Sequence, residues 1–404
     1  MFLGALLDAG QMRIAHIIDS LNPSQGGPPV STLSLAAAQA ALGCDVTIVS
    51  NEFLDSASHL DRLLCAIPAS DRLTINLISQ KNFFETHLGK SARKFFSRNV
   101  LRWDILHLHG LWRPIIREAA RSAIEHDSKW GLAPRGMLHP WAMQQKRWKK
   151  RLALELEWRE LIRHAAFLHV LNTGEKAYVD QLLPDCPTEI LPNGVFPEKM
   201  SANPDRLMLH SKMYDWTNRD YILFLGRLHL AKGLDYLADA FALVAQRNPD
   251  IALVVAGPDA GMQQQFEARV RRLGLSSRIY VTGSLYGDQK YAALRNAICL
   301  CQPSRQEAFS MTVVEALSCG VPVVISKGCH FPEVEEVDAG HVVEPNAGAI
   351  ANALLHVVTN SEWRKTAGHN ARALVEEKFL WPMIAQRSLA IYERLTNSSQ
   401  SDPS

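Results

Sequence analysis

Apolar residues along this chain come in short runs, each followed by a loop marked with glycine or proline and then by helix-compatible sequence. Met12 to Asp19 (MRIAHIID) reads as a strand, NPSQGGPP as the loop behind it, and Val30 to Leu42 as a helix closed by Gly43. Asp45 to Ser50, Asp104 to His109 and Phe167 to Leu171 continue the alternation. Runs this short and this apolar suit strands of a parallel sheet covered on both faces by helices. A second start appears at Tyr221, where YILFLGRLHLAKGLDYLADAFALVA repeats the order strand, glycine loop, helix. Ile251 to Ala256, Ile279 to Thr282, Ala297 to Cys301 and Val321 to Ile325 follow as further strands. The pattern predicts an α/β protein of two doubly wound, Rossmann-like domains. The first spans 1–197, a linker region without clear periodicity spans 198–220, and the second spans 221–379. The polar end, 397–404 (NSSQSDPS), is expected to be disordered.

Composition narrows the class. The length of 404 residues exceeds the size at which single cores stop growing, which agrees with two domains. Hydrophobic residues make up 47% and charged residues 21%, a globular balance. No apolar run approaches the ~18 residues a spanning helix needs. MFLGALLDAG has no basic opening and contains Asp8, so no secretory signal is expected. The seven cysteines form no C-x-x-C pair and suit buried thiols in a reducing cytoplasm. The chain is therefore placed in the cytoplasm, with the cytoplasmic face of a membrane as its alternative seat. A net charge of +2 gives no global case for nucleic acid as a partner.

The candidate chemistry lies in the second half. PSRQEAFSMTVVEALSCGVPVV places Glu307 in a polar loop after a strand and Glu315 in the helical pattern that follows. Ligands of open α/β sheets bind outside the carboxyl ends of strands, where helix N-termini also present unpaired N–H groups. Two carboxylates there can each accept hydrogen bonds from adjacent sugar hydroxyls, one from a ribose and one from a hexose. GRLHLAKG puts Arg227 and Lys232 in the loop after Tyr221 to Leu225, where two cations suit a diphosphate. Each feature also fits a plainer account: solvated loop cations, a surface glutamate, and an acid favoured by a helix dipole. Gly26-Gly27 reads as a turn or as a close approach of backbone to a ligand.

Taken together, these stretches resemble retaining glycosyltransferases of family 4, which have the two-domain GT-B fold with a central cleft between the domains. GGPPVSTLSLAAAQAALGCDVTIVS is similar to the family's opening loop, helix and second strand, LPNGV at Leu191 to Val195 to its inter-domain motif, and FLGRLHLAKG to its phosphate loop. Glu307 to Glu315 matches its E-x7-E motif. The resemblance implies an acceptor-binding first domain, a donor-binding second domain, and a helix at about 380–396 that packs back on the first. It implies that Arg227 and Lys232 hold the donor diphosphate, that Glu315 binds ribose and that Glu307 meets the donor sugar. Gly26 and Gly27 and the backbone of Phe309, Ser310 and Met311 would lie against sugar and phosphate, and Ser284 and Leu285 against the base. The donor is a substrate of UDP or GDP type. No cofactor and no metal are expected, because protein cations and helix dipoles serve the diphosphate. The acceptor would be a glycan or a lipid-linked acceptor, and the product a cell-surface polysaccharide or glycolipid.

The first half departs from that pattern. His109 stands where the family commonly has a histidine, but GLAPRGML puts Arg135 where a second one is usual. Both are candidates for contact with the donor sugar, and both also fit a structural role. Beyond them, HPWAMQQKRWKKRLALELEW carries Lys146, Arg147, Lys149, Lys150 and Arg151 with Trp141, Trp148 and Trp158 interleaved. This segment suits an anionic membrane surface, an anionic acceptor or a solvated helix face. Two rivals remain: a nucleotide-sugar epimerase on the same fold and a non-catalytic, membrane-associated scaffold.

Overall fold

The computed structural model describes residues 12–22, 26–52, 56–79, 88–145, 147–201, 216 and 219–397, apart from the side chains of 56–59, 62 and 201. The chain divides into two compact units, one built up to Asn193 and completed by the segment from Trp381 onward, the other running from Gly194 to Leu380. The division falls before the expected 197 because Val195 N–H donates to the Phe379 carbonyl at 2.9 Å, which ties the start of the second unit to its last helix.

The first unit holds β1 (Arg13–Ser20), β2 (Asp45–Asn51), β3 (Thr74–Ile78), β4 (Ile105–His109), β5 (Trp130–Ala133), β6 (Phe167–Val170) and β7 (Thr188–Ile190). They form one parallel sheet in the order β3-β2-β1-β4-β5-β6-β7. Strand order reverses between β1 and β4, the switch point at which such sheets open a crevice. Register there pairs His16 with His107 and Ile18 with His109. The edge strands β3 and β7 escape the apolar pattern because they are only half covered. The helix Gly27–Ala41 starts earlier than the sequence suggests. Gly26 at φ 97° caps it, and Pro28 and Pro29 occupy a first turn whose N–H groups have no partner in any case. The helix Trp381–Asn397 packs in this unit, where the Gln39 side-chain amide donates to Ser388 Oγ at 2.8 Å.

The second unit holds β8 (Tyr221–Leu225), β9 (Ala252–Ala256), β10 (Ile279–Gly283), β11 (Cys299–Gln302), β12 (Val323–Ser326) and β13 (Gly340–Val343). These lie parallel in the order β10-β9-β8-β11-β12-β13, with the switch point between β8 and β11. Every residue of β8, β9, β11 and β12 is buried, and alternate positions feed two cores. Leu223, Val254, Leu300 and Val323 enter one core, and Phe224, Val255, Cys301 and Val324 the other. Burial on both faces explains why these strands read as continuous apolar runs. No helix among the described residues is long and apolar enough to cross a membrane.

Candidate functional site

The loops after β8 and β11 carry the predicted cations and Glu307, and the fold locks these two loops together. After β8 the chain runs through Arg227 into a single turn, Leu230–Lys232, that ends at Gly233 with φ 69°. A Cβ at Gly233 would lie 2.0 Å from the Pro303 carbonyl oxygen, so only glycine lets the two loops touch. Arg305, which the sequence does not mark, clamps them. Its N–H donates to the Ala231 carbonyl at 2.8 Å and its guanidinium forks onto Asp235 at 2.8 and 2.6 Å. The guanidinium also lies 4.1 Å from the centre of the Tyr236 ring.

Within this frame Lys232 Nζ pairs with Glu307 Oε1. The same oxygen accepts from Ser304 Oγ at 2.8 Å and from Gln302 Nε2 at 3.4 Å. The Glu307 N–H donates to the Gly328 carbonyl at 2.8 Å. Both charged side chains are largely covered, Lys232 at 17% and Glu307 at 11% exposure. Glu315, on the helix Met311–Ser318, pairs with Lys290 at 2.6 Å. Each predicted carboxylate is thus held by a lysine from a different element, and Lys290 is a partner that sequence reasoning missed.

The other predicted residues are less engaged. Arg227 is exposed, and its guanidinium has no hydrogen-bond or ion-pair partner among the described residues. Ser310 caps the helix Met311–Ser318 without bonding its backbone; its hydroxyl meets Thr312 Oγ1 at 3.1 Å, which leaves the first-turn N–H groups uncapped by that side chain. The Phe309 ring packs between Phe331 and Phe379, so its backbone is what remains for a ligand. Ser284 and Leu285 follow β10 half-buried, with Leu285 against the core. Gly26 and Gly27 leave open space where a Cβ would stand.

In the first unit, His109 and Arg135 belong to a buried chain of hydrogen bonds. His109 is 3% and Arg135 9% exposed. Arg135 donates from Nη1 to Asn193 Oδ1 at 2.8 Å and from Nη2 to His109 Nδ1 at 3.0 Å. His109 Nε2 then donates to His16 Nδ1 at 2.8 Å, and His16 Nε2 to Gln39 Oε1 at 2.7 Å. The Gln39 amide donates to Tyr392 Oη at 3.3 Å, whose hydroxyl donates to His107 Nδ1 at 2.6 Å. His107 Nε2 continues to His169 Nδ1 at 3.1 Å, and His169 Nε2 ends the run on the Leu191 carbonyl at 2.6 Å. These partners assign one tautomer, protonated on Nε2, to all four histidines. Both nitrogens of His109 are engaged in this arrangement and face no ligand. Arg135 adopts φ 55°, and its Nε has no partner. Burial lowers its pKa to about 10, which leaves it charged at neutral pH.

Three of these histidines, His16, His107 and His109, place ring nitrogens within 4.8 Å of one another. A metal ion there would have to displace the hydrogen bonds just described and stand beside the Arg135 guanidinium, so the donor set suits a neutral polar core. Burial lowers the pKa of His16 to about 4 and of His169 to about 3, and holds His107 and His109 well below the usual range. The unfolded chain therefore takes up protons first as pH falls, and stability rises with pH wherever it does so. The cost is absent above the unfolded histidine value near 6.5 and grows below it. At pH 5 it is of the order of 2 kcal/mol for each histidine kept neutral. The melting temperature is expected to drop between pH 7 and pH 5, and a flat profile would contradict the neutral network.

The basic segment divides on folding. Trp148 is 68%, Leu152 52% and Leu156 75% exposed, with Trp141, Arg147, Lys149 and Arg151 also at the surface. Trp158 is buried, its ring 5.7 Å from that of Trp112, so it leaves the surface set. Lys150 donates to the Ala142 carbonyl at 2.7 Å, and Lys146 lies outside the described residues.

Known proteins share both halves. A model of the "Glycosyl transferase 4-like domain" matches residues 26–194, and one of "Glycosyl transferases group 1" matches 211–374. The phosphatidyl-myo-inositol mannosyltransferase of Mycobacterium tuberculosis H37Rv is 31% identical over 185 residues, 44% of this chain and 48% of that protein. The chain spans about half the length of the curated relatives it matches. Sucrose-phosphate synthase of Thermosynechococcus elongatus superposes with a TM-score of 0.75 at 20% identity, over 96% of this chain and 100% of that one. The Anabaena protein HepE, in complex with UDP and glucose, gives 0.75 at 18% identity over the same shares. At these identities the likeness is one of fold.

Proposed function

We propose, from the premise that this chain belongs to the glycosyl transferases group 1 family and has the GT-B fold, that it transfers a sugar from a nucleoside-diphosphate sugar to a hydroxyl of a glycan or lipid-linked acceptor. The transfer retains anomeric configuration and serves a cell-surface polysaccharide or glycolipid. The observation that carries this reading is the Lys232–Glu307 pair at the β8/β11 switch point, with the Glu315–Lys290 pair on the helix that follows. In this reading Lys232 and Arg227 neutralise the diphosphate, Glu307 accepts hydroxyls of the donor sugar and Glu315 those of the ribose. The diphosphate is the leaving group, so cations that bind it more strongly as charge develops lower the barrier. Arg227, Lys232 and the N–H groups at the start of the helix Met311–Ser318 supply that charge, so no metal is required. HepE holds UDP and glucose, which makes a UDP-sugar the first donor to try and a GDP-sugar the second. The first unit takes the acceptor, with Arg135 as its buried cation.

The exposed Trp148, Leu152 and Leu156 beside Arg147, Lys149 and Arg151 suit the surface of an anionic bilayer at its cytoplasmic face. Vesicles containing phosphatidylglycerol are expected to co-sediment the protein, and Trp148→Ala with Lys149→Glu to weaken this about tenfold. Equal binding of the double variant, or of neutral vesicles, would sink the membrane seat. The transfer itself is tested by nucleoside-diphosphate release from UDP- and GDP-sugars. Release that requires added acceptor supports transfer, whereas an epimerised donor without release would mark the rival isomerase.

A further inference from the structure

Lys290 stands outside every motif that marks the donor site, yet it makes the closest contact of Glu315. It lies on the helix Gly287–Arg295, reached from β10 through Ser284 and Leu285, whereas Glu315 lies on the helix reached from β11. The pair therefore joins two elements that arrive from opposite sides of the switch point. Lys290 Nζ is 2.6 Å from Glu315 Oε1, and its ammonium lies 5.1 Å from the centre of the neighbouring Tyr291 ring. Tyr291 is buried, so this ring is a fixed platform beneath the ammonium. Glu315 is 12% and Lys290 23% exposed, so the pair sits at a partly covered surface that a ligand can reach.

A carboxylate offers about four lone-pair sites. One is taken by Lys290, and the remainder, on Oε2 and the free side of Oε1, are directed by that bond. An unpaired glutamate on a helix rotates about three side-chain torsions and would have to be fixed anew by each ligand, at an entropic cost. A glutamate held by one oxygen presents the other in a set direction, which is what recognition of two adjacent hydroxyls requires. It also remains an acceptor with no proton of its own to donate, so it rewards a hydroxyl and penalises its absence.

We propose that Lys290 is the positioning residue of the nucleoside end of the donor site, setting the Glu315 carboxylate so that it discriminates ribose from deoxyribose. This rests on the reading that Glu315 meets the ribose. Lys290 acts through Glu315 and touches no reacting atom, so its signature is a change in selectivity. The test is calorimetric binding of UDP and of GDP, each against its 2′-deoxy form, to the full chain and three variants. The wild type is expected to favour the ribonucleotide by about tenfold or more. Lys290→Met should reduce that preference to within about threefold, and Lys290→Arg, which keeps a cation on the same carboxylate, should retain it. Glu315→Gln should lose it. A wild-type preference in Lys290→Met together with its loss in Glu315→Gln would overturn the role of Lys290 and leave the ribose reading standing. A wild-type preference in Glu315→Gln would overturn the ribose reading, and the proposal with it.

Discussion

Replacing Lys232 by methionine is expected to lower kcat/KM for sugar transfer about 10²- to 10³-fold while the protein stays folded. The expectation follows from where the cation sits. Lys232 ends a single turn that Gly233 presses onto Pro303, and its ammonium reaches Glu307 across the β8/β11 switch point. A group fixed there by the fold needs no reorganisation when charge builds on a leaving diphosphate, and such preorganised donors carry the largest single share of catalysis. Methionine keeps the stem and removes only the charge. Glu307 keeps its bonds from Ser304 and Gln302, so the loss in folding stability stays near the lower end of the roughly 3–5 kcal/mol that removing one partner of a buried ion pair costs. Steady-state rates at saturating acceptor, with a melting curve alongside, check both halves. Near wild-type turnover in a folded Lys232→Met would remove the lysine from the site.

Glu307→Gln is expected to be as damaging to turnover by a different route. The amide preserves the shape and can still accept from Ser304 Oγ, but it no longer bears the charge that Lys232 and the donor hydroxyls share. A fall of about 10²-fold or more in kcat/KM is expected, with binding of the bare nucleoside diphosphate unchanged or tighter. The tightening has a simple origin: without its carboxylate partner, Lys232 has only the phosphate to answer. The two variants are thus separated by binding. Lys232→Met weakens nucleoside diphosphate and nucleotide sugar alike, whereas Glu307→Gln weakens the sugar-bearing ligand alone.

What could be read from the chain depended on how far each residue's partner lies along it. The central strands β8, β9, β11 and β12 are covered on both faces and announce themselves as apolar runs; β3 and β7 are edges and do not. Glu307 and Lys232 were marked by their place just past strand ends, where open α/β sheets bind ligands, and by the stretches that resemble a known family. Lys290 was not, since a lysine on an amphipathic helix looks like any solvated lysine until Glu315 is brought to it. The network around His109 was further out of reach. His16 is 93 positions from His109, and Gln39 is 353 from Tyr392, so only the register of β1 on β4 and the return of the last helix assemble it. In the same way Trp158 shares a segment with Trp148 yet is buried against Trp112. The pattern of tryptophans and cations could not show which of them face outward.

The central claim is that the second unit's Lys232, Glu307 and Glu315 form a nucleotide-sugar site. Calorimetric titration of the full chain with UDP-glucose and with UDP, and with GDP-mannose and GDP, tests it most directly. One of the two donors is expected to bind at a single site. Lys232→Met should weaken both that donor and its nucleotide at least tenfold, and Glu307→Gln should weaken the donor alone. Donor binding of wild-type strength in both variants would contradict the account.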